Sequence, residues 1–441
     1  MNKERWIERA KEFGIDELEI YEQLTESRSL SWFGGKMDSF TTSRVLGTSL
    51  RAIVGGKQAE MALEQADDAQ MDEILSSLAE QGRIVSSSDP AALRAPEKTD
   101  EVKSRKNFVK PSVEAIREAL AAAEQKLLAF DERIVQVTAA EWSEEANVRR
   151  ITNSLGLRIE EKGMYQIIVA GAAARQGEEI KTDYKVKVVE DLSTFDLDSF
   201  VKELAENLLG KLGGRTLPTG QYKIILEKDA MTSLFAVMSS MFSGDMINKG
   251  ISPVRDKLGQ KIFSERITVV DDPKNTDTLD VANYDDEGCP TRKKLIVENG
   301  VFTTVLHSTK TAMAAGTEST GNGFKGDYTA PVTVRPKNCM IVPGEKSLEE
   351  LCEEMGEGLV ITDLAGLHAG IDPVTTDFSL QCSGYFVKDG KKAFGVTLVT
   401  VAANYLELMK NVVAVGSDLE WSYRSIACPS VLFTGAAISG E

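Results

Sequence analysis

Glycine-containing turn signals lie between the apolar runs of this sequence and predict a chain that folds largely through hairpins. Four of them are Gly34-Gly35, Gly55-Gly56, Asn299-Gly300 and Asp389-Gly390. Glycine and asparagine accept the positive φ angles that a two-residue hairpin turn requires. Just before the second signal, Leu50, Ala52 and Val54 fall at alternate positions and would share one face of a strand. The N-terminal region is therefore predicted to contain antiparallel strands.

Helical periodicity marks several segments between these strands. They are an opening helix with Trp6, Ile7, Ala10 and Phe13 on one face, and helices over 66–82, 112–130, 195–209 and 347–358. In the last of these, Ser347 and Glu350 have the spacing of a capping box. Strand-like runs are predicted at 134–142, 147–152 and 164–172, with a turn at 153–156.

These elements predict an α+β fold with three parts. The expected parts are a small α/β N-terminal region over 1–100, a helical and stranded middle unit over 111–216, and a β-rich C-terminal domain over 220–441. Residues 86–110 are rich in Ser, Pro, Asp and Lys without periodicity, which indicates a linker. A length of 441 residues is ample for two or three domains.

Charge and composition exclude several classes of function. With 51 basic and 68 acidic side chains, the formal net charge is −17, which argues against nucleic-acid binding. The chain has only two histidines, so a zinc site with two or three of them is nearly excluded. Its five cysteines form no C-x-x-C pair, and residues 1–22 lack a signal-peptide pattern. We therefore expect a cytoplasmic protein with reduced thiols and no membrane span.

An apolar stripe identifies one further helix, in the segment that follows residue 220. Its members recur at helical spacing and are Met231, Leu234, Phe235, Met238, Met241 and Phe242. The helix is expected to end near Ser243-Gly244-Asp245. Core packing is the favoured interpretation of this stripe, while an adaptable surface formed by Met231, Met238, Met241 and Met246 is the alternative.

Short motifs after this helix occur in a fixed order. They are Gly250-Ile251-Ser252, Asp256-Lys257-Leu258-Gly259, Tyr284-Asp285-Asp286-Glu287-Gly288 with Thr291-Arg292, Ser319-Thr320-Gly321-Asn322, Asp377-Phe378-Ser379, Val415-Gly416-Ser417-Asp418 and Ser425-Ile426-Ala427-Cys428-Pro429-Ser430. The ordered set resembles the TldD/PmbA family, sometimes labelled modulators of DNA gyrase. The resemblance covers nearly the whole chain and is most specific from Gly220 onward.

The resemblance implies a particular branch of that family. TldD-type members carry an H-E-x-x-x-H helix that binds a metal together with a later cysteine, whereas TldE/PmbA-type members lack those histidines. Aligned on Gly244-Asp245, the motif positions fall on Phe235, Ala236 and Ser240. None of the three can supply a histidine ligand or a glutamate base. Cys428 falls near the family's metal cysteine, but one thiolate cannot hold zinc.

The resemblance therefore implies the non-metal subunit of a cytosolic metalloprotease that acts on unfolded peptides. Zinc, its ligands and the general base would belong to a TldD-like catalytic subunit, and no metal or cofactor is expected on this chain. Nucleic acid and membrane are not expected partners, and homodimerisation is left open. Gly244, Asp245, Asn322, His368 and Cys428 are the candidate groove or remnant-site residues, and no catalytic residue is expected.

Two other classes of function remain alternatives. One is an independent hydrolase in which Cys428 is activated by His307 or His368, although a small buried thiol is the favoured interpretation of Cys428. The other is a noncatalytic protein that modulates a target such as gyrase. The acidic residues at 271–272 and 285–287 could bind a hard cation, but their spacing matches no calcium loop and acidic turns are favoured.

Overall fold

The computed structural model describes residues 1–86 and 89–440, so residues 87 and 88 of the predicted linker and residue 441 lie outside it. The fold is α+β, with 40% strand and 23% helix, as predicted. It consists of an N-terminal half-barrel and a C-terminal β-barrel. No helix among the described residues is long and apolar enough to cross a membrane.

The helices have the following bounds. They are α1 (Lys3–Ala10), α2 (Met71–Ile84), α3 (Val113–Phe130), α4 (Leu197–Gly210), α5 (Lys228–Met238), α6 (Gly244–Asn248), α7 (Thr309–Ala315), α8 (Leu348–Met355) and α9 (Tyr405–Lys410). Short 3-10 turns cover Lys11–Phe13, Asp68–Gln70 and Ser239–Phe242.

The strands of the N-terminal half are β1 (Glu17–Phe33), β2 (Lys36–Val54), β3 (Lys57–Leu63), β4 (Ile134–Asn153), β5 (Arg158–Gln176) and β6 (Glu179–Val188). Those of the C-terminal half are β7 (Gly220–Leu226), β8 (Val269–Asp271), β9 (Lys294–Glu298), β10 (Val301–Phe302), β11 (Gly323–Phe324), β12 (Thr333–Val334), β13 (Cys339–Ile341), β14 (Gly358–Ala365), β15 (Asp377–Lys388), β16 (Lys391–Asn404), β17 (Val412–Val415), β18 (Ile426–Ala427) and β19 (Val431–Ser439).

The first six strands form one antiparallel sheet in the order β3-β2-β1-β4-β5-β6. Strand β1 pairs with β4 over thirteen positions in register, from Glu19 opposite Asn153 to Ser31 opposite Glu141. The predicted N-terminal region and middle unit therefore share a single sheet, and their division near residue 100 stays a prediction. The two strands predicted at 134–142 and 147–152 are one strand, because β1 and β5 continue to pair with the polar residues between them.

Four helices pack against this sheet. Helices α3 and α4 pack on it through a core that includes Leu120, Trp142 and Phe200. Helices α1 and α2 cover the other end, around Trp6 and Leu75. Helix α2 begins at Met71 rather than 66, because Asp67 caps a 3-10 turn first.

The C-terminal half contains two sheets. One has the order β16-β15-β14-β7-β19-β17, and a further pairing of β16 with β19 closes it into a barrel. The other has the order β10-β9-β8-β13-β18. Helix α5 follows β7, and its stripe packs into the largest core of the molecule. Contrary to the prediction, α5 ends at Met238, because the Ser239 and Ser240 hydroxyls donate to carbonyl oxygens of the preceding turn and a 3-10 turn follows.

The capping box predicted for α8 is present and yields a stability test. The Ser347 hydroxyl accepts from the Glu350 N–H at 3.2 Å, and the Glu350 carboxylate accepts from the Ser347 N–H at 2.7 Å. Ser347→Ala should lower the free energy of unfolding by about 1 kcal/mol. Ser76→Ala, at an exposed position within α2, is the control and should be neutral or slightly stabilising. Urea denaturation measures both, and equal effects would contradict a capping role.

Candidate functional site

Helix α5 and the 3-10 turn that follows it carry the three positions at which the family's metal motif would fall. Phe235 is completely buried in the C-terminal core, together with Met231, Leu234 and Met238. Ala236, on α5, is exposed, and Ser240, in the 3-10 turn, is half-buried, so both lie outside this core. The Ser240 hydroxyl donates to the Val237 carbonyl at 3.0 Å. At the motif positions that are not buried, the chain therefore presents a methyl group at Ala236 and, at Ser240, a hydroxyl that already has a partner.

The chain around β18 lies directly against this helix. The Cys428 N–H donates to the Thr232 hydroxyl at 2.9 Å, and Arg424 Nη1 donates to the Ser233 hydroxyl at 2.9 Å. Burial raises the pKa of the Cys428 thiol to about 12. The structure thus brings Cys428 next to the helix on which the lost motif falls, but keeps its sulfur neutral and within the core.

The residues at this position do not fit a zinc ion. A catalytic zinc needs three protein ligands and an open coordination position. Phe235, Ala236 and Ser240 supply none of the usual ligand atoms. Across residues 1–86 and 89–440, no group of three or more His, Cys, Asp or Glu side chains is arranged to hold a metal.

Gly244 and Asp245 begin the short helix α6 rather than end α5. The Gly244 N–H donates to the Leu306 carbonyl at 2.7 Å, and a Cβ atom at this position would lie 2.3 Å from Nδ1 of His307. His307 Nδ1 also lies 3.2 Å from the Thr311 hydroxyl, and burial lowers the pKa of the imidazole. Gly244 is therefore required for close packing of a neutral histidine, and the Asp245 carboxylate is turned outward to Lys249.

His368 and Cys428 differ in exposure, since His368 is exposed and Cys428 is buried. His368 lies in an exposed turn that is closed by the Gly370 N–H donating to the Gly366 carbonyl at 2.8 Å. No hydrogen bond joins it to Cys428 within the described part of the chain. A thiol with a pKa of about 12 provides little thiolate at neutral pH, so Cys428 is a poor nucleophile here.

Asn322 is fully buried and organises its surroundings instead of lining a groove itself. Its side-chain amide donates to Asp271 Oδ2 at 2.9 Å and to the Arg335 carbonyl at 3.0 Å. Its side-chain oxygen accepts from the Thr320 hydroxyl at 2.8 Å. Asn322 therefore fixes the backbone from which the Arg335 side chain extends.

The acidic turn at 285–287 holds the two halves of the molecule together. Arg51, on β2, pairs with Glu19 at 2.8 Å and with Glu287 at 3.1 Å, and all three side chains are buried. Arg149, on β4, pairs with Asp286. The Asp286 and Glu287 carboxylates are therefore used in ion pairs with the N-terminal sheet, whereas the Asp285 carboxylate accepts backbone N–H groups of its own domain.

The buried charges at this junction shift one another's pKa values. Burial raises the pKa of Glu19, although the neighbouring Arg51 guanidinium opposes the shift. Burial alone would lower the pKa of Arg51, but the Glu19 and Glu287 carboxylates outweigh it and raise that pKa. The sequence contained one signal for this arrangement, because Arg51 interrupts an otherwise apolar strand segment. It gave no indication of which distant carboxylates Arg51 would meet.

Two surface clefts lie close to these residues. The larger, of about 350 Å³, is lined by Arg94, Cys289, Arg292 and Met313 among others. The smaller, of about 230 Å³, is lined by Asp280, Arg335, Lys337, Tyr423 and Arg424 among others. Only the smaller cleft includes a residue bonded to α5, since Arg424 donates to Ser233.

Sequence models of one family match this chain in three consecutive parts. The PmbA/TldA metallopeptidase domain 1 matches residues 18–64, the central domain matches 106–212 and the C-terminal domain matches 219–440. The chain belongs to the PmbA/TldD metallopeptidase family, which confirms the resemblance indicated by the ordered motifs.

Individual relatives agree with this assignment. The metalloprotease PmbA of Escherichia coli O157:H7 is 27% identical over 74% of this chain and 69% of its own length. The crystal structure of a proposed DNA gyrase modulator from Thermotoga maritima has a TM-score of 0.90 at 29% identity and covers 99% of both chains. TldE from Thermococcus kodakarensis has a TM-score of 0.89, covering 99% of this chain and 100% of its own; at 22% identity it supports the fold alone.

The buried arginine at the junction can be tested against an exposed arginine on the same strand. Arg51→Leu leaves Glu19 and Glu287 buried without their cation and should lower the free energy of unfolding by about 3–5 kcal/mol. Arg44→Leu removes an exposed pair with Glu26 and should cost less than about 1 kcal/mol. Chemical denaturation of both variants measures the difference.

The pH dependence of this loss provides a second readout of the same variant. Without Arg51, the pKa of Glu19 rises further above its value in the unfolded chain. The folded state then binds more protons than the unfolded state, so stability increases as the pH falls. The deficit of Arg51→Leu should therefore be largest near pH 8 and shrink towards about pH 5. A loss that is independent of pH would contradict the ion-pair explanation.

Proposed function

We propose that this chain is the non-metal-binding subunit of a two-component cytosolic metalloprotease that acts on unfolded peptides. Its partner would be a TldD-type subunit that carries the H-E-x-x-x-H motif, the zinc ion and the general base. The observation that carries the proposal is the segment formed by α5 and the 3-10 turn after it, in which Phe235 is buried in the core while Ala236 and Ser240 offer no metal ligand. Peptide hydrolysis by a zinc-bound water would then depend on the partner.

The N-terminal half-barrel offers a surface for such a partner. Strand β3 pairs only with residues 48–54 of β2, so residues 36–47 of β2 have no strand on that edge among the described residues. Residues 36–46 are all exposed, and the large apolar side chains Met37, Phe40, Val45 and Leu46 are between 43% and 47% exposed. An unpaired strand edge with exposed apolar residues favours protein association. We call residues 36–47 the open edge of β2.

The subunit assignment is tested by combining this chain with an H-E-x-x-x-H paralogue from the same genome. The mixture should form a stable complex, bind zinc and cleave an unfolded peptide, because only the partner supplies ligands and base. Replacing the motif glutamate of the partner by glutamine should abolish cleavage without loss of the complex. Stoichiometric zinc or comparable peptidase activity in this chain alone would overturn the proposal.

The open edge of β2 yields a separate prediction about assembly. Leu46→Glu places a charge on this edge and should prevent or strongly weaken complex formation with the paralogue, because burying an unpaired charge at an interface is costly. Val374→Glu is the matched control, since Val374 is similarly exposed, at 46% against 47%, but lies in a turn of the C-terminal domain. Light scattering after size-exclusion chromatography measures assembly. Equal effects of the two substitutions would exclude the open edge as the contact surface.

A further inference from the structure

The smaller cleft concentrates positive charge on a chain whose formal net charge is −17. Arg335, Lys337 and Arg424 line its cavity of about 230 Å³, and Asp280 is the single carboxylate among the lining residues. We call this group the cationic cleft. Lys337 already pairs with Asp280.

Neither Arg335 nor Arg424 forms a salt bridge within the described residues. The Arg335 guanidinium donates to the Lys325 carbonyl and that of Arg424 to the Ser233 hydroxyl. A guanidinium has five N–H donors, so both groups keep donors for an additional anion.

Hydrogen bonds to buried residues fix the backbone that carries Arg335 and Lys337. The Arg335 N–H donates to the Asn322 carbonyl at 3.2 Å, and the Arg335 carbonyl accepts from the Asn322 side chain at 3.0 Å. The Lys337 N–H donates to Asp271 Oδ1 at 2.5 Å. The buried Asn338 side chain donates to the carbonyls of Pro273 and Asp280 at 3.2 and 2.9 Å. These contacts pre-organise the segment, which lowers the entropic cost of binding a ligand.

A contact with helix α5 fixes the side chain of Arg424. Its Nη1 atom donates to the Ser233 hydroxyl at 2.9 Å, and its guanidinium carbon lies 5.7 Å from the centroid of the Tyr423 ring. Tyr423 is 44% exposed and forms an apolar border of the cleft. Because Ser233 lies on α5, three residues before Ala236, the cleft adjoins the outward face of the helix on which the lost motif falls.

We infer that the cationic cleft binds carboxylate groups of an acidic peptide segment. A guanidinium presents paired N–H donors that match the two oxygens of a carboxylate, and two such groups with a lysine form a site for one or two acidic side chains. The net negative charge of the chain repels acidic peptides from the rest of its surface, so their binding depends on the excess of positive charge in the cationic cleft. The inference rests on the proposed function and narrows its substrate class to unfolded peptides with acidic residues next to the cleavage region.

The first arm of the test measures peptide binding to the purified chain by fluorescence anisotropy. A fluorescein-labelled peptide with several glutamates and an amidated C-terminus is compared with the same peptide carrying glutamines. A third peptide has glutamines and a free C-terminal carboxylate, which separates a side-chain carboxylate from a terminal one. The glutamate peptide should bind about 10-fold more tightly than the amidated glutamine peptide near 50 mM salt, and the difference should shrink near 500 mM. Equal affinities would overturn the inference.

The second arm assigns the binding to the cleft. Arg335→Gln and Arg424→Gln should each weaken binding of the glutamate peptide by about 3- to 10-fold, with little effect on the glutamine peptide. Arg292→Gln is the matched control, because Arg292 is an exposed arginine in the larger cleft and has no carboxylate partner among the described residues. Wild-type affinity in the double variant Arg335→Gln/Arg424→Gln would overturn the inference, as would an equal loss in Arg292→Gln.

The test of peptide binding by the cationic cleft can fail or succeed independently of the test of the subunit assignment. Assembly with the H-E-x-x-x-H paralogue is measured independently on the same variants, and both arginine variants should assemble normally. If the complex forms and cleaves glutamate and glutamine peptides equally well, the cleft inference fails while the subunit assignment stands. If the chain binds the glutamate peptide selectively but no complex forms, the subunit assignment fails while the cleft is retained.

Discussion

The buried ion pairs between the N-terminal sheet and the acidic turn determine how the two halves of the molecule are placed. Arg51 reaches from β2 to Glu287 in the C-terminal half, and Arg149 reaches from β4 to Asp286. Charges removed from water gain little net stability, but they are costly when a partner is misplaced. Such pairs therefore specify one relative position of sheet and turn. The same position sets where the Asn322 loop lies, and hence where Arg335 extends.

Close packing supports the position that these charges select. Gly47 lies on β2 where the open edge ends, and a Cβ atom there would lie 2.1 Å from the Tyr328 ring. Lys325 adds a hydrogen bond of 3.0 Å from its ammonium group to the Ser49 hydroxyl. The N-terminal sheet thus contacts the loop between β11 and β12 over a short stretch that leaves no room for a side chain at position 47. Charge specificity and steric fit act at the same junction.

Local signals in the sequence predicted much of the secondary structure and little of the long-range pairing. All four hairpin signals form turns in which both residues have positive φ, for example 47° at Asn299 and 82° at Gly300. Ser112 and Ser347 cap α3 and α8 at the predicted starts. These features depend on neighbouring residues alone. The pairing of β1 with β4 and the partners of Arg51 depend on residues far away in the chain, where side-chain alternation gives no register.

The candidate site was predictable to a similar extent. The family alignment located Phe235, Ala236, Ser240 and Cys428, and the structure places the last of these against α5 through Thr232. Periodicity alone placed Phe235 in the core, where it is buried. The cationic cleft was not predicted, because Arg335 and Arg424 are far apart in sequence and neither belongs to a periodic pattern. Asn322 was expected near a groove. It is buried instead, and its side chain donates a hydrogen bond to the backbone carbonyl of Arg335, which lines the cleft.

The shared sheet also has a consequence for the order of folding during synthesis. Leu18 and Ser154, 136 positions apart, are joined by a hydrogen bond at the end of the β1–β4 pairing. The hairpin of β1 and β2 leaves the ribosome well before β4 is made, so the inner edge of β1 stays unpaired while the linker and α3 are translated. Non-local strand pairing of this kind is slow and leaves edges exposed to association. A nascent chain halted before residue 134 should therefore depend on chaperones more than the finished protein does.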